Sequence, residues 1–276
     1  APPVAEVAPE AEALSSDPGP AEPDTVPVAE PSRDGAEGAP AFDEIPWELR
    51  PYRVLVSLAY AADASLTSRF REQLRSSLSW RISGAFGSYW QCEVETNAWL
   101  VPVTRDVLER QSADELKDRF ESSPFDKVIV VSLADAHQLT LAGWEWDRNS
   151  ETRSAVFQRP VVDRRLITEE VFDLLIDLFR PLARIDSTEE GTAELRARGA
   201  EFLAPESLGV LFQTGDLLTP HFRYLSREDE VRNVQSVPWT YLRVDSLVRS
   251  HLTCRVETAF SSALSGSRRR VELMAI

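Results

Sequence analysis

The chain has 276 residues, 43% of them hydrophobic, with 7 Trp and 12 Phe, which allows one large domain or two smaller ones around a buried core. Its formal charge of −15 argues against nucleic acid or anionic lipid as the main partner, because both are polyanions. No apolar run approaches the ~18 residues of a membrane span.

The acid is unevenly spread. Residues 1–45 carry eleven acids against one base, Arg33, and more than half of the 18 prolines fall at or before Pro46. A segment of Ala, Pro, Glu and Asp with almost no aromatics before Phe42 buries too little apolar surface to offset its ordering entropy, so residues 1–45 are expected to be a disordered acidic tether. A spacer to a membrane or wall anchor fits this composition, as does a solubilising tail. The initial Ala in place of Met, with no charged-then-apolar leader, reads as a start left by leader cleavage or by cloning.

Order is expected from Ile45-Pro46-Trp47. Tyr52–Tyr60 (YRVLVSLAY) reads as a strand buried on one face and partly on the other. Asp63 or Ser65 supplies an N-cap for a helix with Leu66, Phe70, Leu74, Leu78 and Ile82 four apart, which Gly84 and Gly87 end. The strand Trp90–Glu95 follows. Thr104 and Ser112 start the next helices, the second with the capping-box spacing Ser112–Glu115.

Phe125–Ala134 (FDKVIVVSLA) is nearly continuously apolar and rich in β-branched residues, as an interior strand buried on both faces would be. From Gln138 the pattern becomes a hairpin, QLTLAGWEW and AVFQRPVV around a polar turn, with Gly143 suggesting a bulge. Thr168-Glu169-Glu170 opens a helix with a broad apolar stripe from Val171 to Leu182. Asp186–Gly199 is polar and reads as a linker or short helix.

Short β runs fill the remainder: Phe202-Leu203, Leu208–Phe212, His221–Leu225, Val231–Val237, Trp239–Val244, Leu252–Phe260 and Arg270–Ala275. The expected fold is therefore α+β (α/β). A mixed-sheet domain with flanking helices covers 46–185, a linker covers 186–200, and a small all-β barrel or sandwich covers 201–276.

Candidate sites are few. Asp135 and His137 lie just past the central strand, where α/β sheets often bind ligands, so a pocket there would suit a ligand-binding module or a hydrolase. A turn residue and an exposed imidazole explain them equally well. Trp144 and Trp146 alternate with acids and share one sheet face; exposed, and with Trp239, they would form a carbohydrate- or protein-binding platform, whereas packed under the following helix they are core. The core reading is favoured. His221 and His251 lie in separate β runs that could meet across a barrel, but without Cys or His partners at metal-ligand spacing they indicate no metal site. Arg268-Arg269-Arg270 reads as a solvated strand end. Cys92 and Cys254 read as buried free thiols, with a disulfide as the alternative in an oxidising compartment. No nucleophile motif, cofactor loop or catalytic residue is nominated.

The element order, from VLVSLAY through DKVIVVSLA, a hairpin and a closing helix, resembles the amino-terminal domain of the periplasmic TolB family. It is also similar to the related domains of curli-secretion lipoproteins and penicillin-binding-protein activators. The Gly215-Asp216-Leu217-Leu218 turn in a following β unit resembles the arrangement of flagellar T-ring assembly proteins. The tether and the VPWTYLRV segment resemble secreted proteins of planctomycete type. These resemblances imply a non-catalytic exported protein, periplasmic or extracellular, with a protein partner in the cell envelope and no cofactor. An edge strand of either sheet could accept a strand of that partner.

Overall fold

The computed structural model describes residues 42–276, except 64, 136–137, 190, 203–211, 228–230, 261–263 and 265–270. The expected tether thus lies outside the described residues up to residue 41, as does the basic triplet 268–270. Two sheets carry the fold, a mixed sheet with helices and a curled antiparallel half-barrel, so the chain is α+β.

The first sheet contains β1 (Tyr52–Tyr60), β2 (Trp90–Thr96), β3 (Lys127–Asp135), β4 (Leu139–Asp147), β5 (Thr152–Arg153) and β6 (Phe157–Pro160). Its order is β2-β1-β3-β4-β5, with β6 also paired to β4. β1 runs parallel to β2 and β3, and β4 turns back antiparallel to β3. The decapeptide FDKVIVVSLA therefore supplies an interior strand. Val128, Ile129, Val130, Val131 and Leu133 are all fully buried, each stabilising the fold by about 1.5–3 kcal/mol as an upper estimate.

Alternation sends these side chains to two cores. Ile129, Val131 and Leu133 pack with α1 (Ser68–Phe86) and α4 (Ile167–Leu178). Val128 and Val130 pack on the other face with α2 (Arg105–Arg110) and α3 (Ala113–Phe120). The capping box at Ser112 and Glu115 and the cap at Thr104 form as their spacing requires. Two other caps differ from expectation. Thr67, not Asp63 or Ser65, accepts from Phe70 N to start α1, and Asp63 instead accepts from Ser65 N. α4 starts at Ile167 behind a 3-10 turn, Arg164–Leu166, capped by Asp163; this places Thr168 inside the helix rather than before it.

Gly143 makes no bulge, since the β3–β4 register passes through it without a shift. Its smallness serves a close approach: a Cβ there would stand 2.5 Å from Val130 O and 3.0 Å from Leu178 Cδ1. Gly143→Ala is expected to lower stability by about 1–3 kcal/mol in urea unfolding, as overpacking of a tight site does. A variant as stable as the wild type would show that both the β3 backbone at Val130 and the Leu178 side chain of α4 yield freely.

The second sheet is assembled from β7 (Ala183–Glu189), β8 (Thr192–Ala197), β9 (Leu217–Leu218), β10 (Pro220–Leu225), β11 (Val231–Ser236), β12 (Thr240–Val248), β13 (His251–Thr258) and β14 (Val271–Ala275). Its order is β11-β10-β14-β7-β8-β13-β12-β9. The stretch expected as a linker at 186–200 is instead the β7–β8 hairpin at the middle of this sheet. The alternation Ala193, Leu195, Ala197 buries small side chains whose apolar signal is weak in sequence. Phe202 ends a 3-10 turn rather than starting a strand, and Leu208–Phe212 lies outside the described residues except for the buried Phe212. β14, the last strand, lies between β10 and β7, and its Met274 packs with the core of the first sheet. Residues 40–276 form one compact unit containing both sheets.

Candidate functional site

Where the two sheets meet, the strand ends bring charged side chains together under apolar cover. Lys127 opens β3 facing α4, and the register sets it opposite Asp147 and diagonal to Glu145. All three side chains are fully buried. Lys127 Nζ donates to Glu145 Oε1 (2.8 Å) and to the Arg180 carbonyl (2.6 Å), and pairs ionically with Asp147 Oδ2 at 2.8 Å. Arg180 N and Ser150 N donate to Glu145 Oε2 and Asp147 Oδ1. Burial raises both carboxyls. For Glu145 that effect prevails over Lys127 and Arg180, whereas for Asp147 the ammonium and the Ser150 N–H override it and hold the carboxyl below its ordinary value. Each charge is matched inside the protein, so the cluster is an ionic core joint rather than a reactive centre.

Arg198, in the turn after β8, forms the second joint. Its guanidinium donates to Asp126 Oδ2 (2.6 Å) and the Pro51 carbonyl (2.7 Å) and stacks on Tyr52, 4.6 Å from the ring centroid. The neighbouring Gly199 is held at φ 65°, with its N–H on the Trp47 carbonyl; a Cβ would meet Arg50 O at 2.9 Å, so only glycine fits. Trp47 Nε1 donates in turn to Arg196 O.

Beside this joint opens a cleft of about 650 Å³, bordered by the 3-10 segment at Phe42–Arg50, the end of α3, the start of β3, the turn after β4, and β10 and β11. Six cations line it (Arg50, Arg53, Lys117, Arg148, Arg198 and Arg223) against the acids Glu121, Asp126 and Glu151. Arg198 and Arg53 share Asp126, Lys117 pairs with Glu151, and Arg223 pairs with Glu272 outside the lining. Arg148 is held by the carbonyl oxygens of Ser123 and Glu121. Four N–H donors of the lining residues are buried without an acceptor: Arg53 Nε, Trp146 Nε1, Asn149 Nδ2 and Arg223 Nε. An unpaired buried donor costs about 1–3 kcal/mol. The cleft is a local excess of positive charge on a chain of net charge −15.

The residues singled out in sequence take different places. Asp135 ends β3, paired with Leu139, while its side chain and His137 lie outside the described residues. At the carboxyl end of β3 is a hollow of about 210 Å³ lined by Val103, Arg105, Ser132, Ala134, Gln138 and Gln158 among others. Among the described residues Arg105 is the ionisable group of that lining, and it donates to Glu109 and Gln158. Trp144 and Trp146 are 0% and 1% exposed, covered by Trp99, Leu116 and Phe120, so neither offers a surface platform; Trp146 also borders the basic cleft. The helical layer of α2 and α3 is what hides them. Trp239 is 73% exposed, in the turn between β11 and β12, with a backbone φ of 55°. Exposed Tyr241 follows it on β12, and exposed Phe260 lies just past β13, where Ala259 N approaches Trp239 O. Exposed Leu217 of β9 pairs with Arg243, two residues along β12. These four exposed side chains all lie on or beside β12, at the β9 end of the half-barrel.

His221 and His251 do not meet in the sheet. They lie in β10 and β13 with three strands between, His221 buried and His251 exposed. His221 Nδ1 is 3.0 Å from the Thr219 carbonyl, which requires it to carry the proton and donate. Burial pushes its imidazole below the ordinary 6.5, so the folded state takes up a second ring proton, on Nε2, less readily than the unfolded chain. Stability from this residue is present above that value and is lost as pH falls through the folded value. Between about pH 7 and about pH 5, His221→Gln is expected to lose less stability than the wild type in parallel urea titrations; equal losses would contradict this. Cys92 and Cys254 are both free thiols, and burial raises each to about 12, which keeps them protonated. Among the described residues no group of three or more His, Cys, Asp or Glu is placed to hold a metal, and no helix is long and apolar enough to cross a membrane.

No family model matches the chain, and no curated protein matches it. Among solved structures it is similar to the PelC dodecamer from Paraburkholderia phytofirmans at 12% identity, covering 46% of this chain and 84% of that one, with a TM-score of 0.26. It is also similar to lipoprotein GNA1162 from Neisseria meningitidis (11% identity, 46% and 96% covered, TM-score 0.25). A third similar structure is the hypothetical protein CT253 from Chlamydia trachomatis (10% identity, 40% and 70% covered, TM-score 0.24). At such identities and TM-scores the functional reading rests on this chain's own residues.

Proposed function

We propose that this is a non-catalytic exported protein that binds another protein in the cell envelope, as a scaffold or assembly factor. The observation that carries this is the Trp239 patch. Trp239, Tyr241, Leu217 and Phe260 leave apolar and aromatic surface in water beside the short edge strand β9. Aromatic residues at the centre of such a patch are the usual anchors of protein interfaces. Trp239 also adopts a left-handed backbone that a bulky side chain rarely takes, a strain of about 1–3 kcal/mol that protein structures retain mainly at functional sites. Export is supported by the acidic, Pro- and Ala-rich composition of residues 1–45, which suits a spacer.

The test is affinity capture from envelope fractions with wild-type protein and with Trp239→Ala/Tyr241→Ala. The expected result is a discrete partner that the wild type retains and the variant loses by tenfold or more. Equal recovery by both proteins would contradict the reading.

A further inference from the structure

We propose that the basic cleft between the two sheets is a binding site for a small multivalent oxyanion, phosphoryl or polycarboxylate, held by Arg53, Arg148 and Arg223 with Asn149. This site shares no residue with the Trp239 patch and stands independently of the reading above.

The first argument is charge. The lining concentrates five guanidinium groups and an ammonium, and its own acids offset only part of them. Guanidinium groups present planar donor forks that match phosphate and carboxylate oxygens, and their weak hydration suits a partly enclosed site. The second argument is chemical and independent of charge. The orphaned buried groups of this lining, on Arg53, Trp146, Asn149 and Arg223, are all N–H donors. Two of the wall's three carboxylates, Asp126 and Glu151, are already paired with Arg53, Arg198 and Lys117, so the groups left without partners are donors, which the acceptor oxygens of an oxyanion complement. Arg53 and Arg223 are each anchored to an acid through one terminal nitrogen, Nη2 of Arg53 on Asp126 and Nη1 of Arg223 on Glu272, which leaves the other terminal nitrogen of each to meet a ligand without breaking the ion pair. The third argument selects size. A cleft of about 650 Å³ admits a compact anion, while the net charge of −15 repels an extended polyanion such as nucleic acid.

The experiment is isothermal titration calorimetry on the full chain with inorganic pyrophosphate and, separately, citrate, each at ionic strength matched with sodium chloride. The expected result is saturable one-to-one binding of at least one probe. Tighter pyrophosphate binding assigns the phosphoryl class, and tighter citrate binding assigns the polycarboxylate class. Arg148→Gln/Arg223→Gln is expected to weaken binding at least tenfold, and so is Asn149→Asp, which keeps the side-chain size and adds a repelling charge. Arg255→Gln, on the half-barrel, is expected to leave affinity within twofold. Far-UV circular dichroism confirms that each variant is folded. Absence of saturable binding for both probes, or unchanged affinity in folded Asn149→Asp, would overturn the proposal.

Discussion

Lys127→Met is expected to lower the free energy of unfolding by about 3–5 kcal/mol, the largest single effect at the joint between the sheets. The methionine fills most of the lysine's volume, so the loss comes from charge. It leaves Glu145 and Asp147, both fully buried, without the ammonium that stands 2.8 Å from each. Their remaining donors, Arg180 N and Ser150 N, satisfy one oxygen apiece, and the Arg180 guanidinium, 3.8 Å from Glu145 and itself part-exposed, is one cation against two carboxylates. The accompanying change of Glu145→Gln and Asp147→Asn tests the cause. Those amides keep the carbonyl acceptors for Arg180 N and Ser150 N while removing the charge, so the triple variant is expected to regain more than half of the loss. Urea unfolding of the three proteins decides it. A triple variant no more stable than Lys127→Met would mean that packing, not electrostatics, governs the cluster.

Arg198→Met is expected to lower stability by about 3 kcal/mol, at the low end for breaking a buried pair, because Arg53 remains on Asp126. It also removes the donor to the Pro51 carbonyl and the stack on Tyr52. Arg198→Lys preserves charge but has no planar fork to reach Asp126 and the carbonyl together, so it is expected to lose about half as much. The two substitutions, compared in urea, separate charge from geometry; a lysine variant equal to wild type would show that charge alone is required.

These joints explain why part of the fold was legible in sequence and part was not. The β-branched run at β3 and the capping box at Ser112 speak through local pattern, and each forms as that pattern requires. The β7–β8 hairpin escaped because its buried faces are built from Ala and single Leu or Ile residues, set among acids that read as solvated linker. Glu145 and Asp147 alternate with two tryptophans, which in sequence is the mark of a solvated strand face. Here that face is covered by α4, the following turn and the second sheet, and Lys127 neutralises it from the neighbouring strand. A lone lysine at the start of an apolar run was the available signal, and only topology gives it meaning.

The candidate sites divide the same way. Trp239 was singled out in sequence and stands exposed, whereas Trp144 and Trp146 were hidden by helices whose placement no local pattern sets. The basic cleft could not be read at all. Its arginines lie at positions 50, 53, 148, 198 and 223, in four separate stretches, and only Arg50 and Arg53 are near neighbours in sequence.

The central claim, that Trp239 is an anchor for a protein partner, is tested most directly by replacing it with a photo-crosslinking amino acid in the native cell envelope. The account predicts one discrete adduct on irradiation, absent when the same amino acid replaces exposed Trp80 on α1. No adduct at position 239, or the same diffuse background at both positions, would contradict it.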